Sequence, residues 1–480
     1  MLFRQLYDPH LAQYAYLVGC QETGEALVID PERDVDRYVR AAEEEGLTLT
    51  AAAETHIHAD FLSGARELAA HHGTKLYLSA EGGDEWQVEW AKASAYDVTF
   101  LRDGDTFRVG NVELRAVHTP GHTPEHLSFL VTDRKNADAP MGLASGDFVF
   151  VGDLGRPDLL ESAAGHAQQA EPSARQLYAS VHKLEDLPDF LQVWPGHGAG
   201  SACGKALGAV PQTTLGYERR TNPAIRTATA EGERAFVRDI LADQPEPPLY
   251  FGRMKRENRE GPKLLGALPH PEEVPPSALD DLAGGGPVTV VDTRPPMTYM
   301  NGHLPGSILA PFDSTFATVV GSYVLPDEPV VLVIEEEHVE DAVRALVRIG
   351  LDAVRGYVTP RTLEAWGEGD RLSMLKAIDF DELDGRRHYT NVEVLDVRRQ
   401  DEFAENHVPG ARHVPHVRLR EHLDALPRDK TILVHCASGV RSAVAAALLH
   451  ARGFSVAYVA DRFANWKERD KEEGVTAGAH

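Results

Sequence analysis

The sequence is short of cysteine, of positive charge and of long apolar runs. Its 480 residues include three cysteines, Cys20, Cys203 and Cys436, which lie too far apart to indicate a disulfide framework. We therefore expect any functional cysteine to act as a thiol, in a reducing cytoplasm.

The low basic content leaves a strongly acidic chain. Lys and Arg number 48 against 74 Asp and Glu, a formal charge of −26, which argues against a nucleic-acid surface and against binding to anionic lipid. No apolar run approaches membrane-spanning length, and residues 1–8 lack the basic and then apolar layout of a secretory signal. We expect no nucleic-acid or membrane partner, and about two to four domains at this length.

The first positive signal is the run His56-Ile57-His58-Ala59-Asp60, which follows the apolar segment 47–53. In a strand this spacing puts all three polar side chains on one side, where they can converge at the strand end. Such convergence indicates a metal ion. The alternative, three buried polar groups satisfied by packing alone, needs separate partners for each of them.

The same arrangement recurs at three more predicted strand ends. Loops rich in Gly and Pro follow these strands, and each carries a His or an Asp: 118–124, 146–147 and 195–198. Loops at one edge of a β-layer are how rigid scaffolds present ligands. With the motifs H-I-H-A-D, T-P-G-H-T, S-G-D and P-G-H-G in this order, residues 1–245 resemble the metallo-β-lactamase fold, an αββα sandwich with a metal site at one edge.

The resemblance leaves the reaction open, because this fold hosts hydrolases and oxygenases alike. Members with two metals carry H-x-H-x-D-H, but Phe61 stands at the last position here and cannot ligate. The second site would keep only Asp60, His197 and a shared Asp147, and we expect it to be empty. The first site remains intact and consists of His56, His122 and Asp147.

Two His and one carboxylate with open positions are the facial triad of non-heme Fe(II) oxygenases, and the open positions would accept O2 and a substrate sulfur. We predict one Fe(II) per chain and no nucleotide cofactor. His126 and His166 are interpreted as ordinary polar residues. Residues expected to orient ligands or hold water, or to serve as alternate ligands, are His58, Asp60, His118 and His197.

Residues 148–158 end in Gly-Arg-x-Asp and resemble the persulfide dioxygenases of the fold, which oxidise a glutathione-type persulfide to sulfite. The resemblance implies that Arg156 anchors the substrate, but a structural pair with Asp158 is an equal alternative. Cys203 lies in a Gly-rich loop beside Lys205. A lowered pKa would let this thiol carry sulfur; the alternative is a small buried thiol.

The segment 246–275 is predicted to be a linker, because it opens with several prolines. Within it, residues 250–262 form a basic island in the acidic chain. A solvated connector is the favoured interpretation. The alternatives are a strap docked across the first domain, or an attractant for an anionic thiol cofactor.

The remaining chain contains an internal repeat. Val290–Arg294 matches Val394–Arg398, and Gly302–Ser307 matches Asn406–Ala411. Each copy alternates strands and helices, which predicts a small α/β domain with a parallel sheet. We place these two domains at 276–372 and 373–480.

The second copy alone carries a candidate nucleophile. Cys436 follows an apolar strand and opens a helix, where backbone N–H groups and the helix dipole favour a thiolate, and Arg441 adds a cation. Glu335 stands at the thiol position of the first copy, so that copy is predicted to be inactive. The D-x-R, H-x-P-G and C-x-x-G-x-R motifs resemble a tandem of rhodanese domains, the first degenerate. Asp396 and Arg398 are expected to form a structural pair.

The whole chain resembles the fused persulfide dioxygenase–sulfurtransferases of bacterial sulfide detoxification. The resemblance implies oxidation of a low-molecular-weight thiol persulfide by O2 to sulfite, and transfer of sulfur through Cys436 to sulfite, giving thiosulfate. The alternatives are a binuclear zinc thioester hydrolase of the glyoxalase II type fused to a sulfurtransferase, and a sulfur carrier or sensor. A retained inactive repeat suits a protein interface, so we expect a homo-oligomer.

Overall fold

The computed structural model describes residues 1–163 and 168–466 and divides the chain into two compact units. The first comprises Met1–Leu268 together with Val347–Gly350, and the second comprises the remainder. Among the described residues, no helix combines the length and the apolar character needed to cross a lipid bilayer.

The first unit contains two six-stranded sheets. The first sheet has its strands in sequence order, antiparallel over the first three strands and parallel thereafter. Its strands are β1 Leu2–Asp8, β2 Gln13–Cys20, β3 Glu25–Ile29, β4 Thr48–Ala53, β5 Lys75–Ser79 and β6 Val98–Leu101. The second sheet also keeps sequence order, and only its fourth and fifth strands run parallel. Its strands are β7 Thr106–Val109, β8 Val112–His118, β9 Leu127–Asp133, β10 Gly142–Gly146, β11 Gln192–Pro195 and β12 Thr213–Thr214.

Helices connect these strands and follow the second sheet. They are α1 Asp36–Glu44, α2 Ala65–His72, α3 Glu89–Lys92, α4 Leu159–Ser162, α5 Ala170–His182, α6 Leu215–Thr221, α7 Pro223–Ala230, α8 Glu233–Leu241 and α9 Phe251–Glu260.

Alternation along the strands explains the layering of this unit. On β2, Tyr16 and Val18 face the second sheet, where they join a core with Phe129. The intervening residue Leu17 faces the other way and packs in a core with Tyr38 of α1. A third core joins the outer face of the second sheet to α5, α7 and α8. Because a strand's neighbours point to opposite faces, each sheet is covered on both sides, and the predicted αββα sandwich is confirmed.

The predicted linker 246–275 requires a correction. Residues 251–260 form α9, and the first compact unit extends to Leu268. The buried residues of α9 recur at the spacing of one helical face: Phe251, Met254, Lys255 and Asn258. The expectation of a solvated connector is therefore wrong for α9. The sequence does not indicate this helix, because its apolar stripe is short and is surrounded by prolines and charged residues. The domain boundaries themselves stay predictions.

The second unit contains two five-stranded sheets, each wholly parallel. The first sheet is built of β13 Glu272–Glu273, β14 Thr289–Asp292, β15 Ile308–Leu309, β16 Val330–Val333 and β17 Val354–Val358. The second is built of β18 Lys376–Ile378, β19 Val392–Asp396, β20 Arg412–His413, β21 Thr431–His435 and β22 Ser455–Val459. The helices are α10 Leu279–Ala283, α11 Pro296–Asn301, α12 Phe316–Tyr323, α13 Val339–Arg348, α14 Pro360–Trp366, α15 Phe380–Arg386, α16 Gln400–Glu405 and α17 Val440–Ala451.

The two sheets of the second unit confirm the internal repeat. Their strand orders, β13-β17-β16-β14-β15 and β18-β22-β21-β19-β20, follow one pattern. Each H-x-P-G turn has its glycine at positive φ, 79° at Gly306 and 83° at Gly410, a conformation that other residues adopt at a cost. Arg398 donates to the buried Asp396 carboxylate at 2.7 Å, which confirms the expected structural pair.

Two glycines of the last domain should respond oppositely to alanine. A Cβ would have no neighbour within 4 Å at Gly410 or at Gly385, but only Gly410 has a positive φ. Gly410→Ala should lower the free energy of unfolding by about 1 kcal/mol, whereas Gly385→Ala, within α15, should raise it by about 0.5–1 kcal/mol. The midpoint of the same thermal unfolding transition, measured by calorimetry, would report the stability change in each variant. Shifts of the same sign would contradict the assignment of strain to Gly410.

Candidate metal centre and sulfur-transfer loop

Three strand ends of the first unit bring the predicted iron ligands together. His56 follows β4, His122 follows β8, and Asp147 follows β10. Their ligand atoms all lie within 4.8 Å of one another, and all three residues are buried. His122 Nε2 is 3.5 Å from Asp147 Oδ2. The structure therefore assembles the predicted set of two imidazoles and one carboxylate; that it binds metal stays a prediction.

A hydrogen-bonded chain fixes the ring of His56. The Thr55 hydroxyl donates to Asp30 Oδ2 at 2.9 Å, so its oxygen is left to accept from His56 Nδ1, also at 2.9 Å. The proton is thereby assigned to Nδ1, and Nε2 keeps the lone pair that a metal needs. Burial, with positive charge nearby, lowers the pKa of His56 well below its usual value, which favours the neutral ligand form.

His122 is oriented by the main chain. Its Nδ1 donates to the carbonyl of Arg156 at 3.0 Å, which again leaves Nε2 as the free nitrogen. Burial lowers the pKa of His122 well below its usual value. Both histidines are therefore held neutral with their Nε2 atoms unprotonated.

The Asp147 carboxylate carries the negative charge of the set. Burial raises the pKa of Asp147 to about 6, although the charge of His197 and contact with the Cys203 thiol act against this shift. Neither oxygen has a well-aligned hydrogen-bond donor among the described residues. A buried carboxylate without donors is costly unless a cation neutralises it, so these residues fit a divalent metal. A Cβ at Gly196 would lie 2.5 Å from Asp147 Oδ1, which explains the glycine there.

His126, interpreted as an ordinary polar residue, supports this loop. The Asp147 amide donates to His126 Nε2 at 3.0 Å, so Nδ1 carries the proton and bonds to Thr119 Oγ1. Burial lowers the pKa of His126 to about 3. Its neutral ring therefore acts as a spacer that positions Asp147. His166 lies outside the described residues.

His58 packs against the ring of His56, at 4.2 Å between centroids, and directs its Nε2 to two carboxylates. Its Nε2 is 3.2 Å from Asp30 and 3.1 Å from Glu54. Burial alone would lower the pKa of His58, but these two carboxylates raise it well above its usual value. These contacts engage Nε2 with the two carboxylates, so His58 anchors its loop. Phe61 is fully buried and stacks on His58 at 4.2 Å between ring centroids.

Helix α9 secures the same loop from outside. The Asn258 amide donates to the carbonyl oxygens of His58 at 2.9 Å and of Phe61 at 2.7 Å, and its oxygen accepts from the Ser63 amide. The alternative of a docked strap is thus the better description of this segment.

Asp60, His197 and Cys203 form a second buried group, with ligand atoms within 4.8 Å of one another. His197 Nε2 lies 3.3 Å from Asp60 and 3.5 Å from Asp147. Burial and the two carboxylates raise the pKa of Cys203 well above its usual value. Of the two alternatives for Cys203, the structure therefore favours the small buried thiol. Lys205 does not reach the thiol, because its ammonium donates to two backbone carbonyls.

Two further predicted residues have structural partners. Arg156 makes a bidentate pair with Asp158 at 2.8 and 2.6 Å and donates to the Ala202 carbonyl, so the structure favours the structural pair over a substrate anchor. His118 bonds to the Pro124 carbonyl at 2.8 Å and holds the loop that carries His122.

In the second unit, Cys436 lies between β21 and α17, as the sequence predicts. Its Sγ accepts from the Gly439 amide at 3.2 Å, and Ser442 Oγ lies 3.5 Å away. Gly439 has a φ of 91°, which turns the chain from the strand into the helix. The loop thus directs the Gly439 amide at the sulfur, at the start of a helix, where an anion is favoured.

Arg441 is not a free cation. Its guanidinium makes a bidentate pair with Glu402 at 2.6 and 2.8 Å. Burial would raise the pKa of Glu402, but the bonds to Arg441 outweigh it and bring that pKa to about 2. The predicted cradle therefore relies first on backbone amides, since the charge of Arg441 is balanced by Glu402.

Several supporting residues escape sequence reasoning. Asp30 follows a strand with no motif around it, and Thr55 precedes the motif as an ordinary polar residue. The available signal is the buried position of Asp30 at the end of β3 with a positive φ of 52°, which only the structure reveals. Lys255 and Asn258 were assigned to the linker.

Comparison with known proteins accords with this geometry. The model of the metallo-beta-lactamase superfamily matches residues 9–197, and the model of the rhodanese-like domain matches residues 275–364 and 379–469. The human mitochondrial persulfide dioxygenase ETHE1 is 30% identical over 41% of this chain and 68% of its own. The hydroxyacylglutathione hydrolase of Rhodospirillum rubrum is 30% identical over 46% of this chain and 86% of its own.

A solved structure covers a larger part of the chain. The metallo-beta-lactamase from Staphylococcus aureus is 43% identical and aligns with 75% of this chain and 99% of its own, with a TM-score of 0.68. The chain therefore belongs to the metallo-beta-lactamase superfamily. It is a fusion of that domain with two rhodanese-like domains, and its homologues include persulfide dioxygenases.

The hydrogen bonds that link His56 to Asp30 through Thr55 predict a measurable effect on metal binding. Thr55→Val removes the hydroxyl while keeping the side-chain shape, so His56 loses the partner of its Nδ1. Loss of such a partner typically costs about tenfold to a hundredfold in metal affinity. Competition with a chelator would measure the change for Fe(II). Thr50→Val, whose hydroxyl bonds only to the Ala26 carbonyl among the described residues, is the matched control. Unchanged iron affinity in Thr55→Val would show that these hydrogen bonds do not prepare His56 for metal binding.

Proposed function

We propose that this protein is an Fe(II) persulfide dioxygenase coupled to a rhodanese sulfurtransferase. The observation that carries the proposal is the buried set of His56, His122 and Asp147, beside a phenyl ring at position 61 where binuclear members place an imidazole. The similarity to persulfide dioxygenases supports it. His56, His122 and Asp147 would hold the iron, which would supply open positions for O2 and the persulfide sulfur.

The protein's own residues prepare this site in three ways. Thr55 and the Arg156 carbonyl fix the imidazole protons away from the metal position. His126 fixes the loop of Asp147. The protonated His58, held by Asp30 and Glu54, balances buried negative charge without competing as a ligand.

The two proposed reactions balance as a sequence. In the first, RSSH, O2 and H2O give RSH, SO3²⁻ and two protons. In the second, the Cys436 thiol takes the outer sulfur of another RSSH and releases RSH; sulfite then attacks that sulfur, which releases thiosulfate and restores the thiol. Sulfite from the first domain is thus the acceptor for the second. Together they convert sulfide-derived persulfide to thiosulfate, a detoxifying reaction.

The Cys436 loop supports the sulfur-transfer half. The Gly439 amide already donates to Sγ, so a persulfide anion on this sulfur would meet a donor. The first rhodanese-like domain has Glu335 at the equivalent position, where Glu336 and Glu337 line the same cavity. Three carboxylates would repel sulfite, so we propose that this domain is inactive.

The proposed cellular compartment is the cytoplasm. All three cysteines, each within the described residues, are free, which suits a reducing cytoplasm. We further propose a homo-oligomer, with the inactive rhodanese-like domain as its interface.

A binuclear thioester hydrolase is the second candidate. The similarity to a hydroxyacylglutathione hydrolase and the group of Asp60, His197 and Cys203 favour it. Phe61 argues against it, because one imidazole of the second site is missing. A sulfur carrier without turnover is a third candidate, which catalytic O2 uptake with a persulfide would exclude.

Two substitutions should separate the two activities. Cys436→Ser removes the proposed sulfur acceptor, so O2 uptake should persist while sulfite accumulates and thiosulfate formation falls by more than about a thousandfold. His122→Ala removes an iron ligand, so iron and O2 uptake should be lost while thiosulfate:cyanide sulfur transfer remains. An oxygen electrode and sulfite and thiosulfate assays would measure these quantities.

Each variant serves as the control for the other. Thiosulfate formation by Cys436→Ser at the wild-type rate would show that Cys436 is not the acceptor. Loss of both activities in both variants would show that the two domains do not act as separate chemical centres.

A further inference from the structure

A cavity of the first unit with two adjoining parts lies between His56 and helix α9. Its inner part is lined by His56, Glu125 and Trp86. A second, more open part is lined by Trp86 and by Lys255 and Arg256 of α9. Ile57 and Trp86 line both parts, so the part beside α9 adjoins the part that is lined by the predicted metal ligand His56.

Lys255 is the unusual residue of this cavity. Its side chain is buried, with 7% of the residue exposed, and its Nζ lies 4.7 Å from the ring centroid of Trp86. It makes no hydrogen bond or ion pair with any residue that the structure describes. A buried ammonium without a partner is costly, and the cation–π contact recovers only part of that cost.

The charged groups around Lys255 offset only part of the cost of burying its ammonium group. Burial lowers the pKa of Lys255 to about 8, and the Glu125 carboxylate acts against this shift. Glu125 itself accepts from the Ile57 amide at 2.9 Å. The open part of the cavity also contains Arg256, Arg259, Glu85 and Glu260, and Arg259 pairs with Glu89.

The cavity therefore presents a buried cation in a protein whose net charge is −26. An acidic protein repels anions in general, but a local cation near the predicted metal ligands would attract an anionic ligand there. A persulfide ligand must place its sulfur at the metal, and a charged group elsewhere on the same molecule would then reach Lys255. This geometry gives a role to a lysine that has no ion pair among the described residues.

We propose that Lys255 is the specificity residue that binds the anionic group of the thiol carrier, a carboxylate or a phosphate, and so orients its persulfide sulfur towards His56, His122 and Asp147. This inference rests on the proposed dioxygenase function and adds the class of thiol to it: a low-molecular-weight thiol that carries negative charge. Lys255 acts on the carrier and takes no part in the oxidation.

The test compares Lys255→Met with the wild type on three persulfides. Glutathione persulfide carries carboxylates, coenzyme A persulfide carries phosphates, and 2-mercaptoethanol persulfide carries neither. We expect the kcat/KM ratio of charged to uncharged persulfide to fall about tenfold to a hundredfold, the effect of losing a charged hydrogen bond, mainly through KM. Loss with glutathione alone assigns the site to carboxylate, and loss with coenzyme A alone assigns it to phosphate. Lys92→Met, which removes an exposed lysine outside the cavity, is the matched control.

Two measurements keep the result interpretable. Iron content per chain would show that the variant is folded and loaded, and the uncharged persulfide reports on the metal site itself. Equal changes in kcat/KM for all three persulfides, or no change, would overturn the role of Lys255. Absence of O2 uptake by the wild type with every persulfide would refute the dioxygenase proposal instead.

Binding can also be tested without turnover. Titration of the wild type with S-methylglutathione, an unreactive analogue, should quench tryptophan fluorescence because Trp86 lines the cavity, and Lys255→Met should weaken that binding about tenfold or more. Equal affinity in the two proteins would contradict the proposed contact with carboxylate.

Discussion

The metal centre depends on one buried carboxylate, that of Asp30. It accepts from the amide and the hydroxyl of Thr55 at 2.7 and 2.9 Å, and it lies 3.2 Å from His58 Nε2. Because of these contacts, the two histidines of the H-x-H motif, His56 and His58, have different roles. Through Thr55, Asp30 holds the His56 proton on Nδ1, and by direct contact it raises the pKa of His58 and favours its charged form.

This division of labour explains the chemistry that the site can support. With His58 engaged by Asp30 and Glu54, the metal position keeps two imidazoles and one carboxylate, and its other faces stay open. Phe61 is buried and stacks its apolar ring on His58. Under the proposed function, these open faces would accept O2 and a sulfur substrate.

Much of this arrangement is predictable from the sequence, because the motifs follow strands whose ends meet at one edge of a sandwich. His56, His122, Asp147 and Cys436 lie where the spacing places them. Asp30 could not be predicted, since its role depends on a tertiary contact between β3 and the loop after β4. Helix α9 was missed for another reason: its apolar stripe is short and its prolines and charges are typical of a linker. The choice between the two alternatives for Cys203 also needs the structure, because burial and two facing carboxylates raise the pKa of its thiol and no local pattern shows them.

The central claim is that one redox-active ion, rather than a pair of zinc ions, occupies the first domain. Elemental analysis of the protein purified from its native host tests this most directly. We predict one iron per chain, zinc far below one per chain, and loss of the iron in His122→Ala. Two zinc ions per chain, retained through purification, would contradict the oxidative account and favour a thioester hydrolase.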